Sequence, residues 1–386
     1  MEKFRETAQE VLRKKSTPGF VIAAGKKGGA KFIEAFGKKQ LVPYEIGNDV
    51  DTIYDIASVT KVMATTTAIM LLVQRGLINI EMKVSEFIDE FASNGKDKIT
   101  IKHLLTHTSG LSDWYPYFEE IRRKDEEEGS QLMCKSNAKK MVYSLVNNEE
   151  IEKRENPVTK YSDIGFIALG EIIEKITGEA LDSFCEREIF IPLGLKDTFF
   201  VNLEDKGRTL SEERLKRIAP TEYSQWRGGV IKGEVHDDNA YAMGGISGHA
   251  GLFSTAEDVF NFGMTILDSY HGRNDFIKQR VIKEFSKRQL IERDSSWALG
   301  WDTPSEGFST SGHYFSPLSI GHTGYTGTSL WIDMKKEVVI ALLSNRVHPD
   351  RSNRSFIKDR PLLYDAAMEV LGEAHPLRRE KVLQEE

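Results

Sequence analysis

Apolar positions recur at two different periods along the chain, and the changes of period mark out its elements. Residues 3–15 carry helical spacing and predict an N-terminal helix. Residues 19–24 and 30–36 then flank the Gly-rich stretch Gly25-Lys26-Lys27-Gly28-Gly29, a hairpin signature. Near the other end, residues 329–333 and 338–343 are joined by Met334-Lys335-Lys336-Glu337 and predict a second hairpin, and residues 362–371 close the chain as a helix. The middle is mostly helical. The economical architecture is an α+β fold, in which both chain ends build an antiparallel sheet flanked by helices and a mostly helical region is inserted between them. Residues 1–55 and 240–386 are therefore expected to form a discontinuous sheet domain, and 56–239 the helical region.

The most apolar helical segment begins at Ser58. Val59, Val62, Met63, Ala64, Ala68, Ile69, Met70, Leu71, Leu72 and Val73 leave few polar faces, and Arg75-Gly76 supplies a basic last turn and a Gly cap. Such a helix belongs in a core. Ser58 also opens a Ser-x-x-Lys sequence with Lys61, one of four in the chain. The others begin at Ser93 in a polar turn, at Ser136 in a charged stretch and at Ser355 after an Arg/Asn-rich loop, and none is expected to open a buried helix. A Ser on the first turn meets free backbone N–H groups and the positive end of the helix dipole, both of which favour a developing alkoxide. Lys61 lies one turn on, roughly 5–6 Å away between Cβ atoms. Ser58 is therefore the candidate nucleophile, with a plain N-cap as the structural alternative.

Composition narrows the partners. The balance of 40% hydrophobic and 29% charged residues over 386 describes a soluble globular protein with room for two or three lobes. A formal charge of −7 with no basic run points to neither nucleic acid nor an anionic membrane, and no stretch is read as reaching transmembrane length. The acidic start Met1-Glu2-Lys3-Phe4-Arg5-Glu6 does not read as a secretory signal, and Cys134 and Cys185, each in a segment that reads as helical, do not suggest a disulfide scaffold. A cytoplasmic location is expected. The run from Arg122 to Gly129 reads as a solvated loop.

Two further constellations carry chemistry. Lys160-Tyr161-Ser162-Asp163 leads into a second apolar helix, and Gly321-His322-Thr323-Gly324-Tyr325 precedes the strand containing Trp331. Ser-x-x-Lys, then Tyr-Ser-Asp, then His-Thr-Gly in that order resembles the penicillin-recognising serine hydrolases: class C β-lactamases, low-molecular-weight penicillin-binding proteins and related esterases. The resemblance covers residues 20–349. His103-Leu104-Leu105-Thr106-His107-Thr108-Ser109-Gly110-Leu111 and the Gly-rich stretch 244–253 are also similar to family members, the latter to a branch assigned as D-alanyl-D-alanine carboxypeptidases.

This resemblance implies a β-lactamase/transpeptidase-like fold and an acyl-enzyme on Ser58, with Lys61 and Tyr161 sharing the proton work and the N–H groups of Ser58 and Tyr325 holding the oxyanion. No Gly-x-Ser-x-Gly occurs, so an α/β-hydrolase elbow is disfavoured. Two departures bear on the substrate. His322 stands where the family's Lys-Thr-Gly has a permanent cation, and is expected to titrate near neutrality. Asp163 replaces the Asn of Tyr-x-Asn; ionised, it accepts hydrogen bonds but cannot donate to an amide, and it favours the ammonium form of Lys61, leaving Tyr161 as the base. Both departures lean towards esters.

The remaining polar residues divide between site and scaffold. His103 and His107 have i, i+4 spacing without the zincin Glu, and read as structural. His236-Asp237-Asp238 and His249 suit pocket lining or loop hydrogen bonding equally. Arg346 is a candidate for a carboxylate at the pocket rim, a surface position being its ordinary fate. Ser254-Thr255-Ala256-Glu257 reads as a capping box. The chain is thus expected to be a serine hydrolase needing neither cofactor nor metal, most simply a carboxylesterase acting on small esters. A D-alanyl-D-alanine carboxypeptidase or β-lactam-binding enzyme, and a non-catalytic ligand-binding module, stand as alternatives.

Overall fold

In a computed structural model, residues 1–151, 158–208, 210–289 and 295–375 are described. Helix α1 (Glu2–Arg13) leads into strands β1 (Gly19–Lys26), β2 (Lys31–Gln40) and β3 (Ile46–Gly47). Strands β9 (Ser319–Thr323), β10 (Ser329–Asp333) and β11 (Val338–Ser344) complete a six-stranded sheet from the far end of the chain, in the order β3-β2-β1-β11-β10-β9. The pairings are antiparallel, with Ala23 opposite Ala341 and Trp331 opposite both Ile340 and Gly321. Both predicted hairpins are present, and the two chain ends meet at the β1–β11 seam.

Period-two alternation divides β1 between two cores. Phe20, Ile22 and Ala24 face Phe4, Val11 and the C-terminal helix residues Phe356, Leu363 and Tyr364, while Val21 and Ala23 face Val259, Phe262 and Ile266 on the opposite side. Both faces are covered, so the central strands are apolar throughout. Each fully buried large side chain here contributes roughly 1.5–3 kcal/mol. Between the sheet strands lie α3 (Ile101–Leu105), α4 (Tyr117–Glu128), α5 (Ser136–Asn148) and α6 (Asp163–Thr177), and the short sheet β4 (Tyr54–Asp55), β8 (Leu252–Ser254) and β5 (Phe199–Phe200).

Several expectations are corrected. The run 122–129 belongs to α4, because Arg123 pairs with Glu120 and Glu127 at 3.1 and 3.0 Å along one helical face and Gly129 caps the end at φ 66°. Ser136 and Ser355 do open helices with buried faces, but both serines are exposed, whereas Ser58 is half-buried with Lys61 fully buried one turn on. The C-terminal helix starts at Ser355, before Pro361, and not at residue 362. The cap of the helix Ala256–Tyr270 is Thr255, whose hydroxyl accepts from Asp258 N–H, one residue later than the box at Ser254. Cys134 sits in a turn at φ 64°. Residues 57–74 are long and apolar enough to cross a membrane by length and composition, contrary to the sequence reading; 83% of the segment is buried inside the protein, as in a core helix.

Candidate active site

Ser58 sits on the opening turn of the core helix, which begins as a tight 3-10 turn, passes through a π-helical stretch at Lys61–Thr66 and continues as Thr67–Gln74. The regular α-helix expected from apolarity is thus widened at Lys61, a feature common where helices carry function. Ala57, just before Ser58, has φ 45°. A non-Gly residue there stores on the order of 1–3 kcal/mol of strain and persists only because neighbours hold it. Buried Asp55 is the holder, accepting the N–H of Ala57 at 2.8 Å and that of His236 at 2.6 Å.

Lys61 is fully buried, and its three ammonium donors are all engaged. Nζ donates to Ser58 Oγ at 2.9 Å, to Asp163 Oδ1 at 2.6 Å and to the His249 carbonyl at 2.9 Å. Burial by itself would lower its pKa, but the charge of Asp163, with the hydrogen bonds to Asp163 and Tyr161, outweighs burial and raises it. Tyr161 Oη lies 2.8 Å from Ser58 Oγ, so both candidate bases touch the candidate nucleophile. Burial pushes the Tyr161 phenol up to about 12 against the opposing pull of Lys61. The resting pair is therefore ammonium and phenol.

The Tyr161 ring packs in a three-ring cluster with His107, at 4.8 Å, and Trp297, stacked at 5.7 Å, which themselves meet edge to face at 4.3 Å. His107 is structural as expected: Nδ1 accepts the Ser162 N–H at 3.1 Å, and Ser162 Oγ caps α6 through Gly165 N–H. These bonds bring Tyr161 and Asp163 to the same point. His103 caps α3 at Thr100. Among the described residues no group of three or more His, Cys, Asp or Glu side chains is arranged to hold a metal.

The third wall is the end of β9. Thr326 Oγ1 donates to Asp55 O and Thr328 Oγ1 to Ile56 O, both at 2.8 Å, which bolts the turn after His322-Thr323-Gly324 to the residues preceding Ser58. Only Gly fits at 324, where a Cβ would lie 2.1 Å from Thr328 Oγ1 and 2.5 Å from Ile56 O. Ser58, Tyr161, Asp163, His249, His322, Thr323, Gly324, Tyr325 and Arg346 all line one cavity of about 670 Å³.

Two expectations about single groups change. His322 does not titrate near neutrality: burial, with Lys61 adding to it, depresses the imidazole to about 3, so it is neutral. Nδ1–H donates to Thr323 O at 2.9 Å, and the buried Nε2 is left without a partner. Arg346 is no surface residue but 3% exposed, its guanidinium 4.7 Å above the Tyr325 ring. His249 contributes its carbonyl to Lys61, while its ring is tied back between Asp237 and Ser247 at 2.8 Å each. His236 and Asp237 do line the cavity.

Sequence reasoning missed Trp297, Asp302, Arg351, Arg354 and Arg360, which share the cavity. The one visible signal was the pair Trp297 and Trp301 straddling Gly300, an aromatic-rich stretch that the reading did not single out.

The sequence profile of the family described as Beta-lactamase matches residues 4–360. A protein of Salmonella agona (strain SL483), named "Putative D-alanyl-D-alanine carboxypeptidase", is 33% identical over 343 residues, covering 83% of this chain and 76% of its own; a Salmonella typhi protein of the same name matches equally well. Among solved structures, the octameric penicillin-binding protein homologue from Pyrococcus abyssi has a TM-score of 0.69 at 22% identity, covering 96% of this chain and 77% of its own. EstCE1, titled a hydrolase with promiscuous acyltransferase activity, has a TM-score of 0.69 at 18% identity, covering 94% and 98%.

Proposed function

We propose, from the premise that this chain belongs to the β-lactamase family of serine hydrolases, that it hydrolyses small esters through an acyl-enzyme on Ser58. The observation that carries the ester preference is the pairing of Lys61 with Asp163, 2.6 Å apart, where an amide side chain is expected in a peptide-binding relative. A carboxylate cannot donate to a substrate amide carbonyl. A neutral His322 likewise offers no permanent cation to a carboxylate beside the scissile bond.

In the working state the Lys61–Tyr161 pair lacks one proton, which the ammonium of Lys61 allows Tyr161 to give up. Ser58 Oγ then bonds to the ester carbonyl carbon as its proton passes to the Tyr161 phenolate. The carbonyl oxygen takes up the negative charge opposite the N–H groups of Ser58 and Tyr325. Collapse expels the alkoxide, which takes the proton from Tyr161. Water repeats the sequence on the acyl-enzyme, giving its proton to Tyr161 and returning one to Ser58 Oγ. Lys61 stays charged throughout, as three acceptors around Nζ favour.

Hydrolysis of p-nitrophenyl acetate and butyrate, lost in Ser58→Ala, is the expected result, with little turnover of a chromogenic cephalosporin. The second reading, a D-alanyl-D-alanine carboxypeptidase, rests on the name carried by the 33%-identical Salmonella relatives. A long-lived cephalosporin adduct on Ser58 by intact mass, without ester turnover, would replace the first reading with the second.

A further inference from the structure

Of the three acceptors around Lys61 Nζ, two are side chains carried on helical turns, Ser58 and Asp163. The third is different. It is the His249 carbonyl, in a stretch with four glycines in eight residues, 244–251. Contact requires glycine there, because a Cβ on Gly248 would meet the Phe166 carbonyl of α6 at 2.1 Å. Glycine also leaves a backbone soft, with more freedom to lose than any other residue. A soft loop does not by itself keep a carbonyl 2.9 Å from a buried ammonium.

The stiffness comes from the His249 ring, the one long side chain between Ser247 and Gly251. It is 1% exposed and held at both nitrogens: Nε2–H donates to Asp237 Oδ1 and Nδ1 meets Ser247 Oγ, each at 2.8 Å. Asp237 is fixed in turn. Its Oδ1 also accepts the Ala240 N–H at 2.8 Å, capping the helix Asp238–Ala242. The preceding His236 N–H is bound by Asp55, and Arg227 holds the carbonyls of Val235 and His236. Burial alone would raise the Asp237 carboxyl, but His249 and the Ala240 N–H hold it well below the ordinary carboxylate range, so it stays ionised. The loop grips the Ser58 helix a second time, where the Gly248 carbonyl accepts from Thr65 Oγ1 at 2.6 Å in the widened turn after Lys61.

We propose that Asp237 and His249 are a positioning pair for Lys61: the carboxylate fixes the imidazole, the imidazole fixes the loop, and the loop fixes the carbonyl that takes one N–H of the ammonium. This rests on the reading of Lys61 as the cation supporting Tyr161, and not on the choice of an ester as substrate. The neighbouring His236 N–H shares Asp55 with the strained Ala57, so the supports of Ser58 and of Lys61 meet at one dipeptide.

Asp237→Ser separates positioning from mere stability, because Ser caps a helix about as well as Asp but is too short to reach His249. Asp237→Asn keeps an Oδ1 acceptor for both donors. In Asp237→Ser, kcat on p-nitrophenyl butyrate should fall roughly tenfold to a hundredfold with KM little changed. The acid limb of kcat/KM should move down by about half a pH unit, since Lys61 loses an acceptor that favours its charged form. Asp237→Asn should recover most of both changes. Labelling of Ser58 by a fluorophosphonate, followed by intact mass across pH, needs no ester preference and should be slowed by Asp237→Ser with the same shift of its acid limb. Labelling slowed in this way, in a protein that turns over no ester, would uphold the pair and sink the esterase reading. Ester turnover in which Asp237→Ser changes KM and not kcat, or lowers the melting temperature with the acid limb unmoved, would overturn the pair and leave the esterase standing. A wild type that is neither labelled nor active would overturn both.

Discussion

Replacing Asp163 by Asn restores the side chain of the family's Tyr-x-Asn pattern, and the structure says what it should cost. Asp163 Oδ1 is 2.6 Å from a Lys61 Nζ that is entirely out of solvent. Removing one member of a buried pair typically costs about 3–5 kcal/mol. Asp163 is itself 20% exposed and the Oδ1 of an Asn can still accept from Nζ, so about 2–3 kcal/mol is the better expectation. For a chain of this length the unfolding entropy is on the order of 0.8 kcal/mol per degree, and the melting temperature should fall by about 3 °C at pH 7. The pH dependence of that difference has a definite sign. The folded pKa of Lys61 is raised above its ordinary 10.5, so the stabilisation is fully present below 10.5 and is lost as pH rises through the folded value. Catalysis moves the other way. Asp163 raises both Lys61 and Tyr161, so the Asp163→Asn variant has a pair that gives up its working proton more easily. The acid limb of kcat/KM for p-nitrophenyl butyrate should shift down by on the order of one pH unit. Calorimetry at pH 7 and at a pH well above 10.5, with a full pH–rate profile of both proteins, decides it. An unmoved acid limb together with an unchanged melting temperature would refute the coupling described here.

Further outcomes follow from the same geometry. Gly324→Ala places a Cβ 2.1 Å from Thr328 Oγ1, so the turn carrying the Tyr325 N–H has to shift, and kcat should fall on the order of 10²–10³-fold with a smaller change in KM; wild-type kinetics would exclude that N–H from the oxyanion site. Burial pushes the Asp302 carboxyl, in the same cavity, up to about 6 despite hydrogen bonds from Ser296 Oγ and Thr303 N–H. A raised carboxylate pKa means stability is fullest below the ordinary 3.8 and is lost through about 6, so Asp302→Asn should raise the melting temperature at pH 8 by about 1–3 °C and leave it unchanged at pH 3.5; equal effects at both would contradict this. Because His322 is neutral, the ester pH–rate profiles of wild type and His322→Asn should share one shape between about pH 5 and 8, and an inflection near 6.5 seen only in the wild type would restore the titrating histidine.

What was legible in the chain follows from range. Strands 19–26 and 338–344 could be read because period two and tight turns are local properties, and Ser58 stood out because the segment after it is apolar on nearly every face. The charge run in α4 was misread for the opposite reason: its helicity comes from i, i+3 and i, i+4 ion pairs and a Gly cap, while its composition looks like solvated coil. Arg346, expected at the surface, is buried because the turn after β11 folds under the start of the C-terminal helix, and nothing within a few residues of it encodes that.

By itself the sequence singled out the candidate groups: Ser58 with Lys61 one turn on, Tyr161 at a helix start, and His322-Thr323-Gly324 before a strand, each a local pattern with a local physical cause. Only the tertiary structure decided what state those groups are in. The neutrality of His322, the ammonium at Lys61 and the strained Ala57 arise from burial and from groups distant along the chain, as Asp163 is from Lys61, 102 residues away. Desolvation and Coulomb energies depend on distance in space, and distance in space is what a sequence leaves unsaid.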